Sequence, residues 1–126
     1  MPFKKIKEKV LGKEYDLSLV FLTPKEAREL TRRTKNKDKA SNVLSFPLTR
    51  TSGEIFICPS TAKKEAPSFN MPEREFIGYL FIHGLLHITG LDHSGTMERA
   101  EQKLLKHFNL CKRLSPESTS APTKLR

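Results

Sequence analysis

Apolar residues recur along this chain in short blocks whose spacing separates helices from strands. Over Phe3 to Lys13, the residues Phe3, Ile6, Val10 and Leu11 fall at helix-like intervals among lysines, which predicts a short amphipathic helix. Asp16 to Leu22 is a compact apolar block with branched and aromatic side chains, suited to a strand buried on at least one face. Thr23-Pro24-Lys25-Glu26 then has the form of a helix start. Thr23 can accept from the Glu26 amide, Glu26 can reach back, and Pro24 sits in the first turn, where its missing donor costs nothing. The helix it opens is expected to run to about Thr34.

A polar stretch from Asn36 to Asn42 reads as a loop feeding a strand, Val43-Leu44-Ser45-Phe46, closed by Pro47. Gly53 to Pro59 is a further strand between a glycine and a proline, and a short helix is expected near Lys63–Ala66. A long helix is predicted from about Pro72 through Thr89, ended by Gly90 as a left-handed cap. From Phe76 onward its apolar residues cover most of the circumference, which makes it a central buried helix. A last helix, about Thr96 to Phe108, gathers Met97, Ala100, Leu104, Leu105 and Phe108 on one side. Ser115 to Arg126 has no periodicity and is expected to be a disordered tail, leaving a single domain over residues 1–114.

Charge adds a polarity to this layout. The net charge of +9 comes mostly from residues 1–50, which carry 13 basic and 6 acidic side chains; residues 51–114 carry 8 and 7. A basic front half favours a polyanionic partner such as RNA, although a well-charged soluble surface accounts for the same numbers. The longest apolar run, Phe76 to Leu91, contains two histidines and falls short of the ~20 residues of a spanning helix. No apolar core follows the basic N-terminus, so no secretory signal is read there and a cytoplasmic protein without membrane contact is expected. Cys58 and Cys111 form no metal-type pair and read as small core residues.

The chemistry is concentrated between His83 and His93. His83 and His87 are four residues apart on the central helix, so both imidazoles leave one face, one turn apart. Gly90 lets the chain turn back, and His93 can return to the same point. Three imidazoles leave a fourth tetrahedral position open, the arrangement of a catalytic zinc. Burying such groups without partners would cost roughly 1–3 kcal/mol each, which weighs against a purely structural role. The offsets match the three histidines of metzincin proteases, but the glutamate that serves those enzymes as general base is here Gly84. His107, beside Lys106, is assigned to a solvated face.

The run His83-Gly84-Leu85-Leu86-His87-Ile88-Thr89-Gly90-Leu91-Asp92-His93 resembles the HGxLHxxGxDH signature of the YbeY family, the bacterial endoribonucleases of ribosomal RNA maturation. Two upstream segments match in the same order: Lys37-Asp38-Lys39 through Asn42-Val43-Leu44-Ser45-Phe46-Pro47, and Gly53-Glu54-Ile55. The resemblance spans about residues 16 to 108. It implies one zinc ion held by His83, His87 and His93, and single-strand-specific RNA cleavage in rRNA 3′-end processing and ribosome quality control. It also implies RNA, and through it the small ribosomal subunit, as partner. The fold expected is α+β: a small mixed β-sheet of about four strands packed against helices, with a zincin-like metal helix.

Three departures from the family pattern stand out. Lys35 holds the place of the usual arginine, keeping the charge but losing the planar fork that grips phosphate. Glu54 replaces the more usual aspartate, and no strand is legible before Asp16. Lys35 is the candidate catalytic cation. Arg32, Arg33, Lys37 and Lys39 are candidate RNA contacts, and Asp92 a candidate acceptor orienting a ligand imidazole. Asn42 and Ser45 can contact a nucleotide or simply cap the loop. Two rival functions follow from the same residues: another metal-dependent hydrolase, such as a peptidase, and a non-catalytic ribosome assembly factor with a structural zinc.

Overall fold

In a computed structural model, residues 1–36, 41–90 and 95–110 are described. Helix α1 (Phe3–Leu11) leads into strand β1 (Asp16–Phe21), and helix α2 (Pro24–Lys35) follows. Strands β2 (Val43–Thr49) and β3 (Ser52–Ile57) form a hairpin. Helix α3 (Pro59–Glu65), a 3₁₀ turn over Ala66–Phe69, helix α4 (Glu73–Ile88) and helix α5 (Gly95–His107) complete the order.

The sheet runs β1-β3-β2, with β1 parallel and β2 antiparallel to β3. It has three strands among the described residues rather than the expected four or so. The chain before Asp16 is helical because its apolar residues are spaced three and four apart, a period that buries Ile6 from a helix but would scatter it on a strand. The central strand shows its burial directly: Gly53, Ile55 and Ile57 are buried in alternation, and they face α4.

Each element has a local reason for its bounds. Thr23 and Glu26 close the capping box, with the Glu26 amide donating to Thr23 Oγ1 at 3.2 Å and the Thr23 amide donating to Glu26 Oε1 at 2.9 Å. Asn36, with φ 55°, ends α2 in the left-handed region that asparagine tolerates. Strand β2 runs on through Pro47 instead of stopping there. It lies at the sheet edge, where a missing N–H removes no ladder bond, and a register irregularity between Pro47 and Thr49 absorbs the misfit. Helix α3 starts earlier than the expected Lys63 because Pro59 is pre-set for a first helical turn, and Cys58 is buried beside it.

Helix α4 is walled in on all sides. Phe76, Tyr79, Leu80, Phe81, Ile82, Leu85 and Leu86 are all buried, against the sheet on one side and α1 and α5 on others. It ends as expected: the Thr89 amide donates to the Leu85 carbonyl at 3.1 Å, and Gly90, with φ 96°, takes the left-handed conformation. Tyr15 packs its hydroxyl against the open Cα of Gly53, where it is buried without a partner among the described residues, and burial raises the phenol above its usual pKa. The expected tail, Cys111 and the loop lysines Lys37 and Lys39 lie outside the described residues, as do Asp92 and His93.

Candidate active site

A cavity of about 500 Å³ opens beside the part of α4 that carries His83 and His87, where apolar packing does not seal the helix. His83 and His87 are among its lining residues, with Gly84 between them. The other walls come from Lys35 at the end of α2, from Ser41 and Asn42, from β2, and from Glu65 at the end of α3.

The histidine pair has the geometry of a chelate. Their Nε2 atoms lie 3.1 Å apart, with ring centroids 4.6 Å apart and planes at 78°. Two nitrogens bound to one tetrahedral ion at zinc–nitrogen lengths are separated by about 3.3 Å. The other ring nitrogen of His83 is committed elsewhere: Nδ1 pairs with the Glu101 carboxylate, which α5 brings in fully buried. With that hydrogen bond donated from Nδ1, the Nε2 lone pair is the one left facing His87. A buried carboxylate set behind an imidazole is the usual support of a histidine metal ligand, so the described part of the site fits a metal ion. Among the described residues no group of three or more ligand-type side chains is gathered. The third expected ligand, His93, is not among them.

Gly84 explains the missing protease base. A Cβ built on it would stand 3.2 Å from Ile55 Cδ1 and 3.4 Å from Ile55 Cγ2, so α4 approaches β3 closely at this point. A side chain at position 84 would be aimed into packed Ile55, which is itself fully buried.

The remaining sequence candidates separate clearly. Lys35 is exposed and borders the cavity, as do Asn42 and Ser45. Arg32 and Arg33 are exposed on α2 and do not border it; Arg32 pairs with Glu29 one turn earlier. His107 is solvent-exposed at the end of α5, as read from the sequence. Thr31, fully buried in α2, donates its one hydroxyl hydrogen to the Ala27 carbonyl at 2.7 Å and accepts from the Ser41 hydroxyl, 3.0 Å away, tying the helix to the cavity rim. Two carboxylates were missed by sequence reasoning. Glu101 has a signal in hindsight: it falls midway between Met97 and Leu105 at four-residue steps, on the apolar stripe of α5. Glu65 has none, since its position in the cavity depends on where α3 packs.

The fold is a small α+β one, with paired histidines on a buried helix beside a polar cavity, a candidate site for metal-assisted chemistry. The profile of the family described as Endoribonuclease YbeY matches residues 3–109, and the chain belongs to that family. It is 41% identical to Endoribonuclease YbeY of Nautilia profundicola, over 75% of this chain and 73% of that protein. It is 38% identical to the Campylobacter jejuni protein of the same name, over 79% of each chain, and 33% identical to that of Staphylococcus carnosus, over 77% and 69%. The solution structure of TM1509 from Thermotoga maritima superposes with a TM-score of 0.60 at 26% identity, covering 98% of this chain and 86% of that one.

Proposed function

We propose that this protein is a zinc-dependent, single-strand-specific endoribonuclease acting in rRNA 3′-end maturation and ribosome quality control, in the cytoplasm, with RNA of the small ribosomal subunit as its substrate. Membership of an endoribonuclease family gives the reaction class, hydrolysis of RNA phosphodiester bonds. The observation that carries the metal reading is the convergence of His83 and His87 Nε2 at 3.1 Å on a cavity, with Glu101 behind His83.

His83, His87 and His93 would hold the ion, in a zincin-like frame. Bound there, zinc supplies Lewis-acid stabilisation of charge developing on a phosphoryl group. The chain's own residues do the rest. Glu101 holds the His83 ring in one tautomer and orientation. Lys35, at the cavity border, offers a cation to the phosphate, and Arg32, Arg33, Lys37 and Lys39 attract the RNA backbone along the approach. Asp92 is assigned to orienting a ligand imidazole. The position next to His83 is closed to a peptidase-type base by the contact of Gly84 with Ile55. No helix of the described residues is long and apolar enough to cross a membrane.

The test is metal content and single-stranded RNA cleavage of the wild type and His87→Ala, with a chelator control and strict exclusion of contaminating nucleases. Both metal and cleavage are expected to be lost in the variant; retention of both sinks the reading. Lys35→Ala is expected to lose at least ~10-fold more rate than Lys39→Ala at equal RNA affinity, since one cation faces the reacting phosphate and the other only the backbone. Equal losses would reduce Lys35 to general charge.

A further inference from the structure

Among the described residues that line the cavity beside the imidazoles are two chemically opposed groups. Lys35 is a cation on a flexible stem. Asn42 and Glu65 form a fixed polar pair: Asn42 Nδ2 donates to Glu65 Oε1, joining the loop before β2 to the end of α3 across 23 residues of sequence. Asn42 is held by its backbone as well, its carbonyl accepting from the Cys58 amide at 3.0 Å. Both side chains are half-buried and both line the cavity.

The donor and acceptor count of this pair decides what it can meet. Glu65 is acceptor-only when ionised, and Asn42 has already spent an amide hydrogen on it, so the pair presents mainly acceptors: the Asn42 Oδ1 and the remaining Glu65 lone pairs. A phosphate oxygen has no proton to give such a surface and is repelled by the carboxylate. What fits is a neutral donor on a nucleotide, either the ribose 2′-hydroxyl or a base N–H. The phosphate belongs beside Lys35 and the imidazoles, and the donor-bearing part of the same nucleotide belongs beside Asn42.

We propose that Asn42 is a substrate-contacting residue that accepts a hydrogen bond from a nucleotide donor, and that Glu65 is the positioning residue that holds it. This rests on the reading of the cavity as an RNA site. Asn42 and Glu65 thereby orient the nucleotide relative to the reacting phosphate, a role separate from both metal binding and backbone attraction.

The experiment compares wild type, Asn42→Ala, Glu65→Ala, Glu65→Gln and the double alanine variant on short single-stranded RNAs. One set carries single 2′-deoxy substitutions walked across the cut; the other replaces guanosine by inosine and adenosine by purine riboside, deleting the exocyclic amine. The readout is the ratio of kcat/KM between substituted and parent oligonucleotide within each variant, which cancels any general loss of folded enzyme. The same ratios are read as dissociation constants on metal-free protein. One position is expected at which the wild type loses about three- to ten-fold and Asn42→Ala loses nothing further. The chemical nature of that substitution distinguishes hydroxyl from base. Glu65→Ala should match Asn42→Ala, and the double variant should be no worse than either. Glu65→Gln, whose amide oxygen still accepts from Asn42, should retain most of the discrimination. Penalties unchanged in Asn42→Ala, or losses that multiply in the double variant, overturn the inference alone. A metal-loaded wild type that neither binds nor cuts any of the RNAs overturns the RNA reading, and the inference with it.

Discussion

Glu101 is the residue on which most of the site's order depends. It is a fully buried carboxylate, and among its partners is the Nδ1 of His83, whose ring it helps to orient. Glu101→Gln keeps the volume and a hydrogen bond but removes the carboxylate set behind the ligand imidazole. Metal affinity is therefore expected to fall roughly 10- to 100-fold, measured by competition with a chromogenic chelator, while the fold persists by circular dichroism. An unchanged affinity would mean that the pair serves only packing. Residue-scale legibility was uneven in an instructive way. His83 and His87 announced themselves by spacing, because a helix converts four residues into one turn whatever surrounds it. Glu65 did not, because no local period reports which side chain a separate helix delivers to a cavity.

At the scale of elements, the capping box at Thr23, the buried α4 and the glycine that ends it were all legible, since each is decided within a few residues. Strand β2 was read too short at Pro47. A proline rules out a central strand, but whether a strand is central or at an edge is a tertiary fact. Among the described residues there are three strands rather than about four, for a related reason: the expected fourth came from likeness to a family, whereas the lysine-rich start of this chain has a helical period. Helix α4 approaches β3 closely at Gly84. Gly84→Ala gains about 1 kcal/mol of helix propensity but forces the Ile55 side chain to shift in a packed core, at about 1–3 kcal/mol. A net loss of about 1 kcal/mol is expected in urea unfolding. A more stable variant would show that Ile55 yields freely.

At the scale of the whole molecule a basic front half packs against the nearly neutral helix that carries the histidine pair, and among the described residues only part of that charge reaches the cavity. Lys35 borders it, whereas Arg32 is paired with Glu29 on the outer surface of α2. The electrostatic role expected of Arg32 and Arg33 is thus attraction at a distance, which is screened by salt, while among the described residues Lys35 is the cation placed for close contact.

The all-round burial of α4 also fixes where motion is permitted. The amides of residues 80–86 sit inside the core, so their hydrogens should exchange with solvent only when the entire protein opens. Those of α2, which buries only Ala27 and Thr31, should exchange through local opening, at rates at least ~100-fold faster. Mass-spectrometric deuterium uptake resolves the two segments; comparable protection in both would contradict this. In the proposed reaction the histidines would then be a stationary anvil, and whatever adjustment a bound strand requires would fall to the lightly anchored helix that carries Lys35.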